Sequence, residues 1–291
     1  MHVFFQNVIA GLETGSLYAL AALGLVLIFR TTDVINFAQG EMAMFSSFIG
    51  LKLFTALGIP YPLAFMGTII FAICFGYLVE RVFIRPAHKA NVVSKMIVTL
   101  GLVMIISGLA TALFGIDSHY LRKAITLDNF NVGGVIIQPN ALFIILITIA
   151  VMSFLFYLIR KTLFGIAIRA TAQNETTAKL MGIPVGKITA SSWIIATVLG
   201  AIAGLLIAPT TNVSTTMMGE VHLKSFIAAV IGGFGTFYGP VIGGVLIGIL
   251  DNLVGFYISL KWKTVIVYAL LIIALIFKPT GLFGKNHRKK V

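Results

Sequence analysis

The chain alternates between long apolar runs and short polar connections. Apolar stretches lie near residues 3–29, 34–57, 59–79, 92–115, 137–159, 188–208, 226–258 and 263–277. Crossing a bilayer as a helix takes ~20 apolar residues, so about eight of these are predicted to do so. The longest polar interruption is Arg160 to Lys187, reading RKTLFGIAIRATAQNETTAKLMGIPVGK. Within it a short helix of its own is predicted from Thr171 to Met181. Thr171 or Asn174 can supply the N-cap oxygen. Gly182 suits the left-handed position past the helix end, and Pro184 prevents the helix from resuming. Such a helix is either a handle for something outside the membrane or a basic loop resting among headgroups.

Two apolar stretches are broken. One break is Val34–Glu41 (VINFAQGE), the other Gly232–Gly244 (GGFGTFYGPVIGG). Taken as one helix, the stretch 226–258 would reach roughly 50 Å, so its glycines should divide it into two crossings or a crossing and a re-entrant half-helix. The expected fold is therefore all-α and polytopic, with eight to ten transmembrane or re-entrant helices and one short helix in a polar connection. It fills residues 1–291 as one transmembrane domain, with a connecting loop at 160–187 and a basic tail at 278–291. Irregular backbone at membrane depth survives only where protein or a water-filled cavity satisfies it, so paired breaks point to a transport pathway. The candidates are Asn36, Gln39, Glu41 and Thr236. A carboxylate at mid-membrane costs at least ~2.5 kcal/mol, so Glu41 belongs either in a polar pocket or at the interface beside a turn. The glycines at four-residue spacing, such as Gly11 with Gly15 and Gly244 with Gly248, serve close helix packing at least as readily as a pathway. Glu220 and Lys224 have the spacing to pair along one helix.

Composition agrees with the pattern. The chain is 59% hydrophobic and 10% charged, with a mean hydropathy of +1.04, whereas soluble domains carry about 25% charged residues. No soluble domain fits between the apolar runs. The net charge of +12 sits in three blocks, around 81–95, 160–187 and 278–290. That distribution is the positive-inside pattern of a multi-pass protein, not a nucleic-acid surface. All three blocks, and with them the C-terminus, are placed in the cytoplasm, where the tail can also attract anionic lipid. A signal peptide is not expected, because MHVFFQN lacks a basic residue and Glu13 interrupts the apolar run behind it. Cys74 is single, which excludes a disulfide and a zinc cluster. Gly186-Lys187 is followed by Ile188, so there is no P-loop, and the five histidines have no metal or catalytic spacing. No enzyme activity and no cofactor is expected of this chain.

Five ordered blocks carry a resemblance over essentially the full length: INFAQGE at 35–41, ERVFIRP at 80–86, FGIAIRATAQNETTAKLMGI at 164–183, GGFGTFYGPVIGG at 232–244 and KPTGLFG at 278–284. Together they resemble the LivH-type permease subunits of bacterial ABC importers for branched-chain amino acids. The resemblance implies alternating access in the bacterial inner membrane, driven by two ABC ATPase subunits that use ATP. It also implies a second permease, LivM-like or a homologous copy, and an extracytoplasmic solute-binding protein. It places the ATPase-coupling segment at Ala170 to Ile183, with Ala170, Asn174, Ala178, Leu180 and Gly182 as contact or shaping residues and Ala178 and Leu180 on the docking side. Leucine, isoleucine or valine is the implied substrate. Related permeases serve urea, amides or other amino acids, and an ion-coupled secondary transporter is the competing class.

Overall fold

A computed structural model describes residues 1–278 and 280–284. Lys285, Arg288, Lys289 and Lys290 of the basic tail, and Pro279 of the last family block, lie outside the described residues. Among the described residues, the helices are α1 (His2–Thr32), α2 (Gln39–Thr55), α3 (Tyr61–Val79), α4 (Val92–Phe114), α5 (Pro139–Lys161), α6 (Leu163–Gln173), α7 (Glu175–Leu180), α8 (Val185–Thr211), α9 (Gly219–Gly232), α10 (Tyr238–Tyr257) and α11 (Lys263–Phe277). One short hairpin, β1 (Phe130–Val132) and β2 (Val135–Ile137), pairs antiparallel with Phe130 opposite Ile137. The charge-balanced connection 116–138 gave no sign of it.

Six of these helices are long and apolar enough to cross a membrane: α1, α3 with its extension to Ile84, α4, α5, α8 and α10. The break after Val34 leaves α2 starting only at Gln39, and the break after Gly232 separates α9 from α10, as the glycine and polar residues require. Helices α2, α9 and α11, at 17, 14 and 15 residues, are shorter than a full crossing.

The chain forms two compact units that alternate along the sequence. The first comprises 1–26, 125–150 and 223 onward; the second comprises 27–124 and 151–222. In the first, the four-residue glycine spacing proves to be a packing device. A Cβ on Gly11 would sit 2.6 Å from Ile249 Cα, and one on Gly15 would sit 2.9 Å from Val245 Cα. Helices α1 and α10 therefore touch backbone to backbone, an approach that only small residues permit.

In the second unit α2, α3, α4 and α8 pack on one another. Trp193 of α8 is fully buried with Ile28, Met42, Leu102, Ile106 and Ala196. Beside it Phe45 packs against Phe71, Phe75 and Phe114, and Phe48 stacks on Phe114 at 4.7 Å. Offset and edge-on aromatic pairs of this kind contribute ~0.5–1.5 kcal/mol each beyond their burial. That rigid block carries both the break before α2 and the loop 160–187.

Candidate functional site

The loop 160–187 is built from two helices joined at a corner. Thr162 caps α6 by accepting from the Gly165 N–H at 3.2 Å. Asn174 then leaves the helical region, with φ −160° and ψ 108°, and its Oδ1 accepts from the Thr177 N–H at 2.9 Å. This corrects the single helix expected from Thr171 to Met181. Thr171 lies buried inside α6, and Asn174 is the N-cap of α7, because its short amide competes with the helical backbone and favours a cap. The end of α7 follows the expectation. Gly182 has φ +80°, its N–H donates to Lys179 O, and the Ile183 N–H donates to Ala178 O, both at 3.0 Å. Those two bonds make a Schellman ending, which requires the left-handed residue that glycine supplies.

Of the coupling candidates, Ala170 is half-buried, Asn174 and Gly182 are exposed, and Leu180 is 83% exposed. Ala178 does not share that outward side; it is 3% exposed and packs inside the chain. A six-residue helix has little room for two faces, and Ala178 is the small residue that lets α7 sit down on the unit. The apolar surface instead comprises Leu180, Met181, Leu163 and Ile166. Met181, Leu163 and Ile166 were missed, although the 3.6-residue pattern of α6 puts Leu163 and Ile166 opposite the buried Gly165 and Ile168.

Electrostatic contacts tie α7 to the turn between α3 and α4. His88 Nε2 lies 3.1 Å from Glu175 Oε1, and Lys179 pairs with the same carboxylate. Partial burial pushes the Glu175 carboxyl up, but the Lys179 hydrogen bond and the charges of His88, Lys179 and Lys95 outweigh it, leaving its pKa below the ordinary range. One layer deeper, Arg85 grips Glu80 with two hydrogen bonds, Nε to Oε1 at 3.1 Å and Nη2 to Oε2 at 3.0 Å. Arg85 Nη2 also reaches Gly186 O at 3.5 Å, at the start of α8. Glu80 is 2% exposed, a buried carboxylate held by a bidentate partner.

The break before α2 gathers polar groups in the same unit. Asn36 is buried and spends its Oδ1 on the Ala38 N–H at 3.1 Å, an Asx turn that shapes the break. Gln39 is buried at the first position of α2, and Glu41 is half-buried with its Oε2 unpartnered. Gly40 lies against His222, whose Cβ would be 2.9 Å from a Cβ at that position. His222 was passed over as a connection residue; no spacing along the chain links it to Gly40. Thr236, in the other unit, accepts from the Gly239 N–H at 3.2 Å and so braces the first turn of α10.

These sites sit on a chain with clear relatives. Residues 7–275 match the family described as branched-chain amino acid transport system, permease component. The chain belongs to that family. The permease is 31% identical to the high-affinity branched-chain amino acid transport system permease protein LivH of Salmonella typhimurium, over 99% of this chain and 98% of the relative. It is 33% identical to the corresponding permease protein BraD of Pseudomonas aeruginosa, with the same coverage. A solved metal-chelate type ABC transporter in an inward-facing conformation shares the fold, with a TM-score of 0.52 and 19% identity over 94% of this chain and 87% of that one. The relatives are transport permeases, and this chain is a multi-pass membrane permease.

The permease also holds a charge cluster that joins distant parts of the sequence. Lys224 of α9 reaches beyond its own helix. Its Nζ lies 2.9 Å from Asp251 Oδ2 on α10, and Lys263 Nζ lies 3.3 Å from the same oxygen. Lys224 and Asp251 are both buried, and the Lys224 ammonium also sits 5.6 Å from the Tyr18 ring centroid. The pairing joins residues 27 apart, beyond the reach of any periodicity argument.

Proposed function

We propose that this permease moves branched-chain amino acids inward across the bacterial inner membrane as one subunit of an ABC importer. Separate ATPase subunits hydrolyse ATP, a second permease completes the pathway, and an extracytoplasmic binding protein delivers the substrate. The basic loops and the C-terminus face the cytoplasm, following the positive-inside rule. The short helices α2, α9 and α11 enter the membrane as partial or tilted spans, which brings the total to nine, within the expected eight to ten.

The observation that carries this reading is the outward apolar surface of the 160–187 loop. Leu180 and Met181 project from a helix whose other side is pinned by Ala178 and the Glu175–His88 contact. A protein partner that buries a Leu or Met side chain gains about 1.5–3 kcal/mol for each. Force applied to α7 then reaches the α3–α4 turn through Glu175 and His88, and the start of α8 through Arg85 and Gly186.

The test is Leu180→Asp in cells expressing the whole importer. An unpaired charge in a buried contact is costly, so the variant should insert normally, lose co-purification with the ATPase, and lose ATP-dependent leucine uptake. Unchanged uptake together with unchanged ATPase recovery would refute a docking role for α7.

A further inference from the structure

A cavity of about 260 Å³ opens beside α7, and every residue lining it belongs to the second compact unit. Its charged wall comprises Arg85, Lys95, Lys179, Glu80 and Glu175, with His88 beside them. Three fixed cations thus face two carboxylates. Both carboxylates are already engaged, Glu80 by Arg85 and Glu175 by Lys179 and His88. What remains open toward the cavity is donor capacity. The Lys95 ammonium makes no hydrogen bond or ion pair among the described residues, the Arg85 Nη1 edge is unused, and the Thr189 hydroxyl adds a further donor. A guanidinium edge, an ammonium and a hydroxyl converging on one space are the donors that a phosphate takes.

The flanks of the cavity narrow the source of that phosphate. Val82, on the turn that carries Arg85, is 54% exposed, and Val92, one turn before Lys95 on the same face of α4, is 43% exposed. In a membrane permease these apolar side chains meet acyl chains. A cavity with free cationic donors and exposed valines on the elements that supply them has the form of an anionic-lipid headgroup site. We infer that this cavity binds the phosphate of an anionic phospholipid, with Lys95, Arg85 and Thr189 as its donors. The site goes beyond the importer reading, since its donors lie on the α3–α4 turn, α4 and α8 and not on the outward surface of Leu180 and Met181.

The experiment compares phosphatidylglycerol with phosphatidylcholine at equal mole fraction in detergent micelles. Lipid retained by the purified full-length permease is read by native mass spectrometry. The wild type should retain phosphatidylglycerol preferentially, and added salt should weaken the preference. Lys95→Gln should lower phosphatidylglycerol retention about fivefold, the effect of one basic residue near an anionic headgroup. Lys95→Arg should restore it, and Lys52→Gln, elsewhere on the surface, should leave it unchanged. Arg85 is left intact because its loss would strand the buried Glu80. Equal retention of the two lipids, or retention by Lys95→Gln equal to wild type, overturns the proposal. Displacement of the lipid by inorganic phosphate, with no preference for phosphatidylglycerol over phosphatidylcholine, assigns the cavity to free phosphate and overturns the lipid source.

Discussion

Replacing Asp251 by Leu tests how charge is held inside the first unit. The carboxylate lies 2.9 Å from Lys224 Nζ and 3.3 Å from Lys263 Nζ. The Lys224 side chain is 1% exposed and that of Lys263 is 29% exposed. After Asp251→Leu, Lys263 can turn to solvent, but Lys224 stays buried and loses the Asp251 carboxylate. Breaking a buried pair on one side costs about 3–5 kcal/mol. The Tyr18 ring still offers the Lys224 cation a favourable contact, which places the expected loss near the lower end, about 3 kcal/mol. That corresponds to a fall of roughly 6–12 °C in the melting midpoint. Lys224→Met should cost less, because Asp251 keeps Lys263. The double variant Asp251→Leu with Lys224→Met should recover much of the loss, since it replaces a buried pair by apolar groups instead of stranding one charge. The assay is thermal unfolding of the solubilised permease followed by tryptophan fluorescence, with the buried Trp193 as reporter. A double variant whose loss equals the sum of the two single losses would show no coupling and refute the argument. So would a Lys224→Met loss larger than that of Asp251→Leu.

Three further outcomes are expected. Gly182→Val should impair ATP-dependent uptake while Gly182→Asn stays near wild type. A Cβ there meets nothing within 4 Å, so only the positive φ is strained, by ~1–2 kcal/mol for an ordinary residue; equal activities in an uptake assay would show that the turn is not what matters. Glu41→Gln should reduce transport without loss of assembly, since its Oε2 is buried at the broken segment with no hydrogen-bond partner among the described residues, and unchanged uptake would return Glu41 to a purely interfacial role. In a Cys74→Ala background, an impermeant thiol reagent applied to intact cells should label a cysteine at Asn129 and spare one at Asn174; labelling at 174 would invert the proposed orientation.

The sequence by itself determined what depends on local periodicity and composition. The apolar runs predicted long helices, the glycines at 232–239 predicted the break before α10, and Gly182 predicted the left-handed end of α7. Each is a property of neighbouring residues, so it is written in consecutive letters. Family membership was legible for the same reason, because five ordered blocks can be read without coordinates. The tertiary structure decided which face each residue presents and which distant residue it meets. Two residues apart on a short helix, Ala178 turned inward and Leu180 outward, a choice set by what α7 rests on. His222 came to lie on Gly40, and Lys224 met Asp251, 27 residues along the chain. An ion pair within one exposed helix is worth only a few tenths of a kcal/mol, whereas a buried ammonium must find a carboxylate wherever the packing places one.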